Sequence, residues 1–424
     1  MIPLTLAQKI LKSHSTTPVD DDAVTAGAIV NCHLDLVLAN DITGPLAINS
    51  FRAMGATKVF DPAKIALVMD HFVPQKDIAS AEQVLISRAF ASEQGIVHYF
   101  EGGDAGVEHA LLPEIGLVQP GDLVAGADSH TCTYGGIGAF ATGFGSTDVA
   151  SAMALGEIWF KVPETVRVTF SGTLPAFVGG KDLILWTIGQ LGVDGARYMA
   201  LEFDGETIDN LSIEGRLTMA NMAIEAGGKA GLFAADAKTM AYCTAAGCKS
   251  PAPIAADKGA TYAKSLSFDV SGMSPLVACP HTPENVHPVD EVKDVVLNQV
   301  VIGSCTNGRI EDMRAAAQIL KGRKVYKHLR CIVLPATPSV WKAALREGLI
   351  EIFMEAGCIV GPATCGPCLG GYMGILAGGE KAITTTNRNF KGRMGSLASE
   401  VYLANPAVAA ASAITGIITN PAKL

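Results

Sequence analysis

Residues 295–320, VVLNQVVIGSCTNGRIEDMRAAAQIL, pass from a β-branched run into an amphipathic helical pattern. The alternation continues with a strand pattern, RCIVLPA, at 330–336, a helical pattern at 339–357 and a further strand pattern, CIVGPA, at 358–363. This β-α-β-α-β order predicts an α/β fold with a parallel sheet between layers of helices. Ligands of such sheets bind at the loops that follow the carboxyl ends of the strands.

Two cysteine-bearing loops follow these predicted strands. Cys305 follows the first strand, and Cys365 and Cys368 lie in GPATCGPCLGG at 361–371. Alone, the C-x-x-C pair is compatible with half of a zinc site, a thioredoxin-like redox pair or part of an iron–sulfur site. We expect helix N–H groups to stabilise a Cys305 thiolate, because the next predicted helix starts near Arg309. Three converging thiolates would leave a metal with an open position.

The composition and charge of the chain argue against several classes of protein. The chain has 424 residues, 49% of them hydrophobic, and a net charge of −9 without a lysine- and arginine-rich run, so we expect no nucleic acid partner. The N-terminal MIPLTLAQKILKSHS lacks the features of a secretory signal, and the longest apolar tract, near 407–418, is too short for a bilayer. We therefore expect a cytoplasmic protein without membrane association, whose cysteines are thiols or metal ligands.

Strand patterns that end at polar residues also occur earlier in the chain. KIALVMD ends at an Asp-His pair, and DLVAGADS runs into an Asp-Ser-His triplet. The strand-like VRVTFSG begins at 166, and the proline-rich segment at 274–292 is typical of a linker. We predict three domains, at 1–165, 166–283 and 284–424.

Four motifs, in the order GADSHT, GSCTNGR, CGPC and TNRNFKGR, resemble the aconitase superfamily of iron–sulfur hydro-lyases. The similarity covers nearly all of the chain, and MDHFVPQKD at 69–77 and YLANPAVAAASAITG at 402–416 are similar to the short, homoaconitase-like branch. This resemblance implies three aconitase-type α/β/α domains around a central iron–sulfur cluster. It also implies that the swivelling fourth domain of single-chain aconitases is lacking here.

The resemblance further implies one 4Fe-4S cluster with Cys305, Cys365 and Cys368 as ligands and one open iron. The partners it implies are a separate small subunit, carrying the swivel domain and the catalytic base, and a small di- or tricarboxylic hydroxy acid. We expect a hydro-lyase that interconverts 2- and 3-isopropylmalate in leucine biosynthesis. A homoaconitase or a 2,3-dimethylmalate or citraconate-type hydratase shares these motifs, and a cluster-free RNA-binding relative is a remote alternative.

Dehydration of a hydroxy acid requires a general acid and a general base besides the Lewis acid. In this family the acid belongs to an Asp-His pair, and the resemblance implies catalytic roles for Asp70, His71, His109, Asp128 and His130. It implies substrate or cluster contacts for a second group: Asn40, Ser129, Asn221, Glu225, Asn387, Arg388 and Arg393.

Two details of these motifs bear on the chemistry. The planar fork of a guanidinium binds a carboxylate through two parallel hydrogen bonds, as expected of Arg388 and Arg393. The family usually has glutamine after the histidine that matches His109, but this chain has Ala110, which puts one supporting hydrogen bond in doubt. We interpret the remaining cysteines as small buried hydrophobes and leave Cys132 open.

Overall fold

Parallel sheets form the framework of the chain in the computed structural model, which describes residues 2–424. Within those residues the strands form sheets of five, four and seven strands and a two-stranded ribbon. The strands are β1 Ile29–His33, β2 Leu36–Asn40, β3 Ile65–Val68, β4 His98–Phe100, β5 Leu123–Gly126, β6 Phe140–Gly143, β7 Glu157–Lys161, β8 Thr165–Ser171, β9 Ala200–Asp204, β10 Ala230–Phe233, β11 Lys264–Asp269, β12 Leu276–Ala278, β13 Val286–Pro288, β14 Gln299–Gly303, β15 Arg330–Leu334, β16 Ile359–Val360, β17 Lys381–Thr384 and β18 Glu400–Ala404.

Helices connect the strands and cover the sheets. They are α1 Leu6–Ser13, α2 Gly44–Ala53, α3 Ile78–Gln94, α4 Glu108–Glu114, α5 Ser146–Leu155, α6 Gly180–Leu191, α7 Glu206–Asn210, α8 Ile213–Asn221, α9 Ala237–Ala246, α10 Ser304–Asn307, α11 Ile310–Leu320, α12 Pro338–Arg346, α13 Leu349–Ala356 and α14 Pro406–Thr415. No helix in the described range is long and apolar enough to cross a membrane.

The five-stranded sheet has the order β4-β3-β2-β5-β6, and all its pairs are parallel. Side chains alternate between the two faces of a strand, and the residues from Leu36 to Ala39 are all apolar and buried. Both faces of β2 therefore carry apolar side chains. Val37 and Ala39 pack into the core that contains α2, α3 and α5, whereas Leu36 and Leu38 pack into the core formed with α4. This two-sided burial explains the continuous apolar run in the sequence.

The seven-stranded sheet has the order β13-β12-β18-β17-β14-β15-β16, with its central strands parallel, as the β-α-β-α-β pattern predicts. Val300 and Ile302 pack against α11, α13 and α14, and Val301 faces the core shared with α6 and α8. The helices of the four-stranded sheet, β10-β9-β8-β11, therefore cover the other face of the large sheet.

One expectation is wrong in this region. The proline-rich segment at 274–292 is not a linker, because β12 and β13 lie within it and form the antiparallel edge of the seven-stranded sheet. Pro288 is tolerated because β13 is an edge strand, where a missing N–H leaves no neighbour unpaired, and the other prolines of the segment lie outside the two strands. The three predicted domain boundaries stay predictions, although the three larger sheets follow one another along the chain in that order.

Carboxyl ends of strands from two sheets meet at one place. Asn40 ends β2, and Asp70 and Asp128 each follow the last residue of a neighbouring strand by two positions. From the seven-stranded sheet, Cys305 follows β14, and Asn387 follows β17. Residues distant in sequence are therefore brought to a common centre.

Candidate active site

Three buried thiols lie in loops after strands of the seven-stranded sheet. Cys305 lies in the short helix α10, directly after β14, while Cys365 immediately precedes the 3-10 turn at 366–369 and Cys368 lies within it. Gly303 permits the sharp exit from β14, because its φ is 149° and a Cβ there would lie 2.4 Å from the Leu334 carbonyl oxygen.

The expected thiolate of Cys305 is not supported by the local backbone. The long helix α11 begins only at Ile310, so Cys305 lies a turn away from its N-terminus. Burial raises the pKa of the Cys305 thiol to about 12. Without a bound cation the buried group is therefore a thiol, and a metal bound there would favour the thiolate.

Nitrogen donors point at these sulfurs. The Nδ2 groups of Asn221 and Asn387 donate to Cys305 Sγ at 3.2 and 3.3 Å, and a terminal guanidinium nitrogen of Arg393 lies 3.9 Å from Cys368 Sγ. Asn221 Oδ1 accepts the second Nδ2–H contact of Asn387 at 3.1 Å, which holds the two amides together. Such hydrogen bonds to sulfur are typical of cysteines that carry excess negative charge.

A buried lysine fixes the loop that carries Asn387 and Arg388. Lys181, on α6, is 2% exposed and donates from Nζ to the Thr385 carbonyl at 2.9 Å and to the next carbonyl along the chain. Burial is the main reason that its pKa falls to about 7, although Cys305 and Asp312 act in the opposite direction.

The Asp-His pair forms a charged network with a third residue, Asp41. His71 Nδ1 lies 2.7 Å from Asp70 Oδ1 and 3.3 Å from Asp41 Oδ1. Burial alone would lower the pKa of His71, but the two carboxylates outweigh it and raise the pKa well above its ordinary value. No hydrogen bond within residues 2–424 uses His71 Nε2, so an imidazolium here keeps one proton to donate.

This network is tied to the cysteine loop. The Asp70 carbonyl accepts the Cys365 N–H at 3.0 Å and the Thr364 hydroxyl at 2.8 Å. Asp41 accepts the backbone N–H groups of His71 and Phe72 at 3.1 and 2.9 Å. The Asp-His pair and the loop that carries Cys365 are therefore held by one set of hydrogen bonds.

The second carboxylate network joins the other two predicted histidines. Asp128 Oδ1 lies 3.0 Å from His109 Nε2 and 3.5 Å from His130 Nδ1. Burial would raise the pKa of Asp128, but hydrogen bonds from both histidines outweigh it and hold that pKa well below its usual range. Burial lowers the pKa of His109, whose Nδ1 lies 3.1 Å from the Tyr134 hydroxyl. We therefore assign His109 as neutral, with its proton on Nε2.

An open cleft of about 650 Å³ lies beside the thiols, lined by Glu225, Arg388, Arg393 and Leu369 among others. Arg388 Nε donates to Glu225 Oε1 at 2.7 Å, and His130 Nε2 lies 2.9 Å from the same oxygen. Arg393 Nε is buried and has no hydrogen-bond partner among the described residues. A ligand with carboxylate oxygens would satisfy it.

The predicted residues lie around the thiols and the two networks, and Glu225, Arg388 and Arg393 are the ones among them that line the cleft. Asn40 is fully buried, and its Oδ1 accepts the N–H groups of Ile42 and Thr43 while Nδ2 donates to Glu108. Ser129 is half-buried beside His130. Ala110 packs against Cys305, and Tyr134 contacts His109 on the side opposite Asp128. Cys132 is buried, and its Sγ contacts the Asn221 carbonyl at 3.4 Å.

Sequence reasoning missed four residues of this centre, which are Asp41, Glu108, Tyr134 and Lys181. Asp41 had a usable signal, because it is a charged residue directly after an apolar strand. Glu108 similarly precedes a histidine that the motif identified. Nothing local to Tyr134 or Lys181 distinguishes them, since their contacts come from remote parts of the chain.

Comparisons with known proteins agree with this architecture. Residues 8–416 match the model of the aconitase family (aconitate hydratase). The chain is 74% identical over 421 residues to the 3-isopropylmalate dehydratase large subunit of Nitratidesulfovibrio vulgaris (strain Miyazaki F) and 69% identical over 423 residues to that of Desulfovibrio desulfuricans, with 99% of both chains covered in each pair. Aconitase X of Thermococcus kodakaraensis (holo-form) shares the fold at 14% identity and a TM-score of 0.51, over 86% of this chain and 85% of the other. The chain belongs to the aconitase family.

Proposed function

We propose that this chain is the large, cluster-bearing subunit of a hydro-lyase that interconverts 2-isopropylmalate and 3-isopropylmalate in leucine biosynthesis. The names of relatives that are 69–74% identical over the full length support this substrate. The observation that carries the chemistry is the convergence of three buried thiols with an arginine-lined cleft and two carboxylate–histidine networks.

The residues around the thiols fit a 4Fe-4S cluster. Three cysteines are available, and amide and guanidinium N–H groups point at Cys305 and Cys368, where cluster-bound sulfur would accept them. Cys305, Cys365 and Cys368 would hold the cluster and leave one iron without a protein ligand. When bound, that iron supplies a Lewis acid for a hydroxyl group and a carboxylate of the substrate.

The arginines would bind and orient the substrate. Arg388 uses Nε on Glu225, which leaves its two terminal nitrogens for a carboxylate in the cleft, and Arg393 has an unpaired Nε. Glu225 keeps its negative charge, because its contacts with His130 and Arg388 outweigh burial and lower its pKa. The ion pair with Glu225 therefore fixes the position of the Arg388 guanidinium, and Arg393 remains as a second positive charge in the cleft.

His71 would serve as the general acid for loss of the hydroxyl group. Its raised pKa keeps it protonated at neutral pH, Asp70 and Asp41 hold Nδ1, and Nε2–H remains to be donated. His130 and Asp128 would orient the water that leaves or returns, and neutral His109 would keep Asp128 in place.

The relatives are named large subunits, which supports a separate small subunit as the partner of this chain. We propose that this partner closes the cleft and contributes the base that removes the substrate proton. A cytoplasmic location and the lack of a nucleic acid or membrane partner stay predictions.

Anaerobic co-expression with a small subunit tests the function. We expect turnover of isopropylmalate to exceed that of homocitrate and dimethylmalate, and faster turnover of either competitor would reassign the substrate. Cys365→Ser should lose iron and sulfide, whereas Cys279→Ser, at a half-buried cysteine outside the set of three, should retain both. A colourless wild-type protein that retains RNA in a salt-sensitive way would favour the RNA-binding alternative.

A further inference from the structure

Glu108 lies between the two carboxylate–histidine networks and has no role in the chemistry described above. It is the first residue of α4, and its side chain is 1% exposed. Its backbone N–H donates to Asp70 Oδ2 at 2.8 Å, and its Oε1 lies 3.5 Å from His109 Nε2. Oε1 also accepts the Asn40 Nδ2–H at 3.0 Å. Glu108 therefore contacts one network through its backbone N–H, and the other network and the end of β2 through its side chain.

The charges around Glu108 disfavour its ionised form. The titratable groups that face it come from α4, from the loops after β3 and β5 and from the turn at 129–137, and they are His109, Asp70, His71, Asp128 and Tyr134. Asp128 is an anion whose carboxylate lies within 4.8 Å of that of Glu108, and two carboxylates this close do not both ionise readily. Burial, followed by Asp70 and Asp128, raises the pKa of Glu108 well above its ordinary value.

The position of the proton follows from the hydrogen bonds. Oε1 is an acceptor, because the Asn40 amide donates to it. A neutral acid therefore carries its proton on Oε2, which is buried and has no hydrogen-bond partner among residues 2–424. An unpaired O–H in such a place costs free energy unless a water molecule or a ligand supplies an acceptor.

We propose that Glu108 is a positioning residue that acts as a neutral carboxylic acid, holding Asn40 through Oε1 and donating from Oε2 to an oxygen atom of a buried water molecule or of the bound hydroxy acid. This role rests on the proposed hydro-lyase activity. It keeps the Asp70–His71 and Asp128–His109 pairs apart without adding a further negative charge between them.

Matched variants in the complex with the small subunit test this role. Glu108→Gln keeps an acceptor and a donor, so we expect kcat within about threefold of wild type and an unchanged pH profile. Glu108→Ala removes both, and we expect kcat to fall by about 10–100-fold, the usual loss when a group that orients a catalytic residue is removed. A Glu108→Gln variant as poor as Glu108→Ala, or one whose basic pH limb moves down by a unit or more, would show an ionised carboxylate and overturn the proposal.

A spectroscopic test does not depend on turnover. The infrared difference between the wild-type chain and Glu108→Gln should contain the carbonyl stretch of a protonated carboxylic acid, and its absence at neutral pH would refute the neutral form. A shift of that band on addition of isopropylmalate to the complex identifies a substrate oxygen as the acceptor, and an unshifted band identifies water. If wild type is inactive on every hydroxy acid tested, the proposed function fails while the infrared result still decides the protonation of Glu108.

Discussion

Replacing Asp41 with asparagine should lower the pKa of His71 and move the activity profile with it. The Asp41 carboxylate lies 3.3 Å from His71 Nδ1, and it is one of two anions that raise this pKa. A single charged neighbour at such a distance shifts a pKa by about 1–3 units, or about 1.4–4 kcal/mol. Because the proposed mechanism needs His71 protonated, activity is lost as pH rises through this pKa. We therefore expect the basic limb of kcat/KM in Asp41→Asn to move to lower pH by about 1–3 units.

The assay is the pH dependence of isopropylmalate turnover by the anaerobic complex with the small subunit. Iron and sulfide contents equal to those of wild type would show that the site is loaded, and Asp20→Asn, at an exposed residue, is the matched control. The raised pKa of His71 also makes the stability of the folded chain depend on pH. Since the folded-state pKa of His71 is raised, its ion pairs stabilise the fold at low pH, and this contribution disappears as pH rises through that pKa. A basic limb that does not move in a fully loaded Asp41→Asn variant would refute the role of Asp41 in charging His71.

Further substitutions test separate parts of the structure. Arg393→Lys should raise KM by about tenfold or more with a smaller change in kcat, because lysine cannot reproduce the bidentate fork, and steady-state kinetics with an unchanged KM would exclude a carboxylate contact. Lys181→Met should lower iron content, because it leaves the Thr385 carbonyl unpaired at a cost of about 1–3 kcal/mol, and full iron content on metal analysis would remove Lys181 from that role. Phe353→Ala should destabilise the chain by about 3–5 kcal/mol, because the ring is fully buried, and urea denaturation with an unchanged midpoint would contradict this core assignment.

Local patterns predicted the centre of the large sheet and the position of its cysteines. β14, β15 and β16 are short apolar runs separated by helical periodicity, so the parallel order and the loops at their carboxyl ends follow from the sequence. The short helix α10 could not be predicted, because it depends on the positive φ of Gly303 and on the contact of that residue with Leu334.

The candidate site was predictable where a motif marked a residue and not where a tertiary contact defines it. The resemblance singled out Asn40, whose side chain contacts Glu108, but not its neighbour Asp41, which contacts the Asp-His pair. Glu108 and Lys181 depend on partners that come from other elements, and their burial is invisible in a local pattern. The β12–β13 edge was missed because prolines suggested a linker, whereas an edge strand also tolerates them.

We predict that Lys181 links α6 to metal loading, although none of the three cysteines lies on that helix. The lysine is 204 residues away from Thr385 in sequence, yet its amino group donates to the loop that carries Asn387, whose amide contacts Cys305. A genetic screen for cofactor-deficient variants should therefore return substitutions in α6 along with those at the cysteines. Such variants would be scored as defects of iron–sulfur assembly, although their primary lesion is a misplaced loop.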